Sequence, residues 1–265
     1  MNAENNTPVR NEASAEGGVT GEGAALTPTH SGRADDDTRW SGSGGHVTHE
    51  FDKNYWEDHW TPTVGGDGRL LPVNPYVPAE TAHLPRGTAL DAGCGTGTEA
   101  LWLAERGWRV TGADISANAL ATAAGRADAA GLAGQVEWVE TDVTRWKPER
   151  AWDLVVTSYA HPDIGQLAFY RRIAAWVAPG GTLLIVGHVH DHGQHDHGHH
   201  GHGQHGHGHG HGHPEGATAT RAGIAELFPS PEWRVDAAYE NTRTVHAGGR
   251  ARQLRDVVVR VQRVP

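Results

Sequence analysis

Three observations in the 265-residue sequence predict a doubly wound α/β fold. Short apolar runs rich in β-branched residues alternate with helical patterns. The runs are apolar on both faces, as strands buried inside a parallel sheet are. The chain then closes on two strand-like runs with no helix between them. Strand-helix alternation implies right-handed crossovers that cover both faces of one sheet.

The strand candidates are "TALDAG" (88–93), "WRVTGADI" (108–115), "VEWVETDV" (136–143), "WDLVVTSYA" (152–160) and "GTLLIVGH" (181–188). Between them, "TEALWLAERG" stops at Gly107, a residue type that ends helices well. "SANALATAAGRADAAG" starts at Ser116, whose hydroxyl can cap the first turn. "QLAFYRRIAAWV" sets Leu167, Tyr170, Ile173, Ala174 and Val177 on one helical stripe. "TRAGIAELF" makes a last short helix before Pro229. "EWRVDAAYENTRTVHA" and "RQLRDVVVRVQRV", joined near Gly248 and Gly249, predict a hairpin at the sheet edge. The expectation is a seven-stranded Rossmann-like sheet with a C-terminal antiparallel hairpin.

Composition bounds the rest. Residues 1–45 carry seven acids against three arginines and almost no aromatic side chains, which predicts a disordered tail. The tail lacks the basic start and apolar run of a secretory signal. No stretch approaches the roughly 20 apolar residues that cross a bilayer, so no membrane partner is expected. Cys94 is the single cysteine; it excludes an internal disulfide and fits a reducing cytoplasm. A net charge of −10 disfavours duplex nucleic acid, whose phosphates call for a basic face.

"LDAGCGTGT" lies where the first strand turns into the first helix after it. Glycines at 93, 95 and 97 let the backbone turn sharply and approach a ligand closely. The dinucleotide fingerprint G-x-G-x-x-G needs glycine where Thr98 stands, and no Gly-Lys-Ser/Thr follows. Dinucleotides and triphosphates are therefore disfavoured. Asp91 would repel a pyrophosphate but suits a cationic ligand. Asp114 ends the second strand, where a carboxylate can accept both hydroxyls of a ribose.

With these residues the chain resembles the class I S-adenosylmethionine-dependent methyltransferases. "LDAGCGTG" matches that family's first motif, "VTGADIS" its second, and "VAPGGTLLIV" (177–186) its turn into the fifth strand. The resemblance runs from about Tyr55 to the C-terminus and makes 46–265 a methyltransferase domain with a histidine-rich insertion at 188–214. It implies S-adenosylmethionine as cofactor, held by Asp91, Gly93, Cys94, Gly95, Gly97, Asp114, Ile115, Asp142, Val143 and Ser158. In that arrangement the glycines line the methionine moiety, Asp114 holds the ribose and Ile115 packs on the adenine. Asp142 and the Val143 backbone meet the adenine edge.

The methyl acceptor should lie at the end of the fourth strand, where "SYAHPD" offers Tyr159 and His161 as catalytic candidates. Tyr159 reads as a pocket wall. His161 reads either as a general base or as a loop histidine capping a helix. The Asp/Asn-Pro-Pro-Tyr motif of nucleic-acid amino methyltransferases is missing here, which points to a small-molecule acceptor. "FDKNYWEDHW" (51–60) spaces its aromatics as an amphipathic helix, packed on the domain and able to serve as a lid. Such a helix also looks like the small methyltransferases for thiopurines and for tellurite or selenite.

The segment 187–214 holds 13 of the 20 histidines. Imidazoles at His190, His192, His195, His197 and His199 suit Zn, Ni or Cu as several weak, interchangeable sites. A glycine-histidine alternation fixes no geometry, so a low-complexity insertion and a metal-buffering loop both remain open. A metal-handling protein using the fold as scaffold is the alternative to methyl transfer. By topology the segment leaves the fifth strand on the ligand-binding edge of the sheet.

Overall fold

The computed structural model describes residues 51–61, 72–189, 218–247 and 250–265. The chain divides into two units, 1–46 and 47–265. The expected tail, the metal positions His190 to His199 and the Gly248–Gly249 turn lie outside the described residues.

Five parallel strands form the body of one sheet: β1 (Thr88–Ala92), β2 (Arg109–Asp114), β3 (Val136–Glu140), β4 (Trp152–Ser158) and β5 (Val177–Val189). A two-residue strand, β6 (Thr218–Ala219), follows, and then β7 (Trp233–Ala247) and β8 (Arg250–Arg263). The order is β3-β2-β1-β4-β5-β8-β7, with β7 and β8 antiparallel to each other and β8 antiparallel to β5. Among the described residues the sheet thus has eight strands where seven were expected. The extra one has a simple cause: β5 outruns β4, whose register ends at Ser158 opposite Val186. Beyond that point β6 pairs with β5, setting Thr218 beside His188. Val189 and Thr218, which bound residues outside the description, thus hold adjoining register positions in the sheet.

The helices are α1 (Lys53–His59), α2 (Tyr76–Thr81), α3 (Thr98–Glu105), α4 (Ala117–Ala129), α5 (Gln166–Ala174) and α6 (Arg221–Ala225). Alternate residues of each central strand feed two cores. On one face, Leu90, Val155, Leu183, Ile185 and Val259 pack with Phe169 and Ile173 of α5 and Ile224 of α6. On the other, Ala89, Leu154, Leu184 and Val258 pack with Leu101 and Leu103 of α3 and Val77 of α2. Each fully buried Leu, Ile, Val or Phe side chain contributes about 1.5–3 kcal/mol, so two-sided burial is the main source of stability.

Several local expectations shift. The buried stripe of α5 runs through Phe169, Tyr170, Ile173 and Ala174, while Leu167 is 41% exposed. Leu167, in the first turn of α5, lies beside Gly223 of α6 at the end of the core and stays partly open to solvent. Val177 belongs to β5, which begins before the Gly180–Gly181 pair rather than at Gly181. β3 is an edge strand, so only Val136 in it is buried and Glu137 reaches solvent. Ser116 caps α4 as expected, accepting from the Ala119 N–H at 3.2 Å.

After β1 the chain winds outward through β2 and β3, then returns to β4 and winds the other way. The carboxyl ends of β1 and β4 are therefore where the connections part, and ligands of open α/β sheets bind at such a point.

Candidate active site

The loop after β1 is built for close backbone approach. Gly93, Gly95 and Gly97 all have positive φ, at 77°, 50° and 75°. A Cβ on Gly93 would stand 2.6 Å from the Ala160 Cβ, and one on Gly97 2.5 Å from the Trp138 ring. Neither position accepts a side chain without displacing a neighbour. From α4, Arg126 Nη1 donates to the Thr96 carbonyl (2.6 Å) and to Thr98 Oγ1 (3.0 Å), which fixes the loop from behind.

Three carboxylates surround this loop. Asp114, 8% exposed at the end of β2, accepts from the Gly95 N–H (2.8 Å) and the Ser116 N–H (3.0 Å). Asp91 is 1% exposed, and its Oδ2 has no hydrogen-bond partner among the described residues. Glu99, in the first turn of α3, accepts from the Asn74 N–H at 3.1 Å. Burial raises the pKa of all three, and the charge of Glu99 pushes Asp91 further up. Clustered, desolvated acids with an orphaned oxygen favour a positively charged ligand. Cys94 lies buried among them with its thiol pKa also pushed up by burial, so it is poorly suited to act as a thiolate.

The other expected cofactor residues are placed around the same edge. Ile115 is half-buried just after Asp114. Asp142 Oδ1 accepts from the Thr144 N–H (2.8 Å) and hydroxyl (2.6 Å), closing its own turn, and the Val143 carbonyl accepts from Arg172 Nε (3.0 Å). Ser158 Oγ accepts from Asn74 Nδ2 at 2.9 Å. Asn74 was not anticipated, yet it joins Glu99 on the β1 side to Ser158 on the β4 side.

Helix α1 covers this region. A Cβ on Gly95 would meet the Trp60 ring at 3.2 Å. Glu57 accepts from Ser116 Oγ (2.9 Å), the Ala117 N–H (2.9 Å) and the Asn118 N–H (3.1 Å), so it caps α4 from another element. These bonds lower its pKa, that of Asn118 foremost. Because the folded pKa is depressed, the contact is fully present above the ordinary carboxylate value of 4.5 and is lost as pH falls through the folded pKa. Glu57→Ala should therefore speed amide exchange at Ala117 and Asn118 at neutral pH, and wild type should show the same rise only in acid. Unchanged exchange in the variant, read by mass spectrometry of the 114–122 peptide, would remove the cap.

Tyr159 follows β4 with φ 55°, a value that side-chain-bearing residues seldom hold. Its hydroxyl donates to Asp256 Oδ1 (2.7 Å) and accepts from Arg243 Nη2 (2.9 Å). Burial first, and the bond to Asp256 next, raise the pKa of the phenol. Its ring stacks on His188 at 4.5 Å, and His188 on His161 at 5.6 Å. His161 also stacks on Phe51 (5.7 Å) and approaches Gln166 Nε2 at 3.4 Å. The two expected acceptor-side residues thus belong to one aromatic row that ends against α1. Tyr76, Arg243 and Asp256 went unnoticed in the sequence; the only signal was an acid heading the apolar run of β8.

Among the described residues, no three His, Cys, Asp or Glu side chains are placed to hold a metal ion. No helix among them is long and apolar enough to cross a membrane.

Residues 89–181 match the family described as "Methyltransferase domain". Trans-aconitate 2-methyltransferase of Streptomyces avermitilis is 35% identical over 135 residues, 47% of this chain and 49% of that protein. Thiocyanate methyltransferase 1 of Arabidopsis thaliana is 35% identical over 100 residues, 38% and 43% of the two chains. Probable thiol methyltransferase 2 of the same plant is 29% identical over 134 residues, 49% and 59%. The match thus spans about half the length of these relatives. In fold, TehB from Haemophilus influenzae aligns with a TM-score of 0.58 and 16% identity over 79% of this chain and 67% of that one. The [4+2]-cyclase SpnF aligns at 0.52 with 18% identity over 71% and 78%. The fold of this chain is thus also that of a cyclase, so function has to be argued from the site.

Proposed function

We propose that this protein transfers a methyl group from S-adenosylmethionine to a small-molecule acceptor. The observation that carries the reading is the positive-φ glycine loop with the buried carboxylates Asp91 and Asp114 before and after it. The relatives named for trans-aconitate, thiocyanate and thiol substrates support a small acceptor.

The residues present fit such a cofactor. The loop offers backbone to a ligand at three positions where a Cβ would intrude, and Asp91 Oδ2 is a buried acceptor without a donor. Gly93, Gly95 and Gly97 would hold the methionine moiety, with Cys94 beside them and the Asp91 charge favouring its cationic end. Asp114 would take the ribose, Ile115 the adenine face, and Asp142 with the Val143 backbone the adenine edge. Ser158, fixed by Asn74, would border the methyl-transfer position. When bound, the cofactor supplies an electrophilic methyl group on a sulfonium. The protein's part is alignment and exclusion of water. Trp60 and α1 cover the glycine loop, and Tyr159 and His161 shape the acceptor side.

Tyr159, its proton committed to Asp256, acts as a wall rather than a base. Of the two imidazoles in this row, His161 is the one that follows β4, and it would accept a proton if the acceptor arrives protonated.

Isothermal titration of the full chain with S-adenosylhomocysteine tests the reading. Saturable one-to-one binding is expected, with none for a reduced nicotinamide dinucleotide. A flat titration with the homocysteine compound would sink it.

A further inference from the structure

Beyond the aromatic row lies a polar group that the cofactor reading leaves unused. Asp256, wholly buried at the head of the apolar run of β8, lies opposite His188 of β5 and Asn241 of β7 in the sheet register. It accepts from Tyr159 at Oδ1 (2.7 Å), and from Tyr76 (3.1 Å) and Arg243 Nε (2.7 Å) at Oδ2. Arg243 Nη2 donates to Tyr159. Two acceptors therefore hold the guanidinium in one orientation. Among the described residues its Nη1 has no partner, and the side chain remains a quarter exposed beside a fully buried acid.

A bridge serving stability alone gains nothing from this asymmetry, since a buried pair is weak evidence for stability. Here the carboxylate and two phenols orient a guanidinium whose remaining donors stay available. The Tyr159 ring lies under that guanidinium, 5.9 Å from its carbon, and is itself held at an unfavourable φ. Strain of this kind persists where the surroundings over-determine it, and it clusters at functional sites. A fixed guanidinium with open N–H groups is a receptor for carboxylate-like or sulfonate-like anions.

We infer that Arg243 anchors a negatively charged group of the methyl acceptor, making this a site for small organic anions. The inference rests on the methyl-transfer reading and deepens it. It assigns Tyr159, Asp256 and Tyr76 to positioning: they aim Arg243 and do not touch the reacting atoms. Tyr159 and Arg243 also link the anion site to the segment after β4, where Ala160 abuts Gly93 of the glycine loop.

The test compares 2-mercaptoethanesulfonate with 2-mercaptoethanol, which share a thiol and differ in charge. Equilibrium binding of each to the full chain is measured, with S-adenosylhomocysteine binding followed in parallel. Wild type should bind the sulfonate about tenfold tighter or better, as expected for a charge-assisted hydrogen bond. Arg243→Gln should erase that preference and leave the affinity for mercaptoethanol and the cofactor product unchanged. Arg243→Lys keeps the charge without the fork and should retain part of it; it also serves if the glutamine variant folds poorly. Equal wild-type affinity for the two thiols, or a preference that survives Arg243→Gln, overturns the anchor. Arg243-dependent sulfonate binding without S-adenosylhomocysteine binding supports the anchor and overturns methyl transfer instead.

Discussion

Asp114→Ala is expected to weaken S-adenosylhomocysteine binding by about a hundredfold. Hydrogen bonds to an ionised carboxylate contribute about 1.5–3 kcal/mol each, and a ribose offers two hydroxyls; 1.4 kcal/mol is tenfold. The alanine also leaves the Gly95 and Ser116 N–H groups without their acceptor, so the loop loses a tether as well. Asp114→Asn keeps an acceptor oxygen but not the charge, and should lie between, near tenfold. The pH dependence has a definite sign. Burial raises the Asp114 pKa above the ordinary 3.8, and hydroxyl donors favour its ionised form. Affinity should therefore be full above the raised pKa and decline as pH falls through it, earlier than for an exposed aspartate. Titration calorimetry of both variants from neutral to acid pH checks this. An alanine variant binding within threefold of wild type would show that Asp114 does not hold the ribose.

The parts of this fold that could be read from sequence are those whose cause is local. β1, β2, β4 and β5 are continuous apolar runs because both faces are buried, and their helices end or begin at Gly107 and Ser116 for capping reasons. The C-terminal pair is legible because no helix interrupts two long strand patterns. What escaped was set by neighbours. β6 exists only because β5 extends past β4. α2 is a single short segment with Pro78 inside it and no periodicity to betray it, yet it contributes the buried Tyr76 and Val77. Leu167 looked like core by spacing, but it lies beside Gly223 of α6 and stays partly exposed.

The candidate site divides in the same way. The half proposed for the cofactor is only partly contiguous: Asp91 to Glu99 is one turn of chain and Asp114 follows one helix and one strand later, while Asp142, Val143 and Ser158 come from beyond β3 and from the end of β4. The half proposed for the acceptor gathers Tyr76, Tyr159, His188, Arg243 and Asp256 from five segments of the chain. No spacing rule joins positions as far apart as 76 and 256. Glu57 was visible only as the acid between aromatics on α1; that it caps α4 follows from docking. The histidine run, the most conspicuous feature of the sequence, touches this half through His188, which stacks on Tyr159 and lies opposite Asp256.

Asp256→Ala should produce the largest loss of stability, about 3 kcal/mol. Removing one partner of a buried ion pair costs about 3–5 kcal/mol, and the low end applies because Arg243 is partly solvated. The phenols of Tyr76 and Tyr159 lose their acceptor together, which adds unsatisfied donors on α2 and after β4. For a unit of this size the expected fall in the unfolding midpoint is roughly 6–12 °C. Asp256→Asn keeps one acceptor oxygen and should cost less. Because the same bonds hold Arg243, the effects must couple. The double variant Asp256→Ala with Arg243→Met should lose less than the sum of the two single changes, since neither charge is then left alone. Strict additivity in urea unfolding would mean that the two residues do not act as a unit, and Arg243 would lose the rigidity its anion-binding role requires.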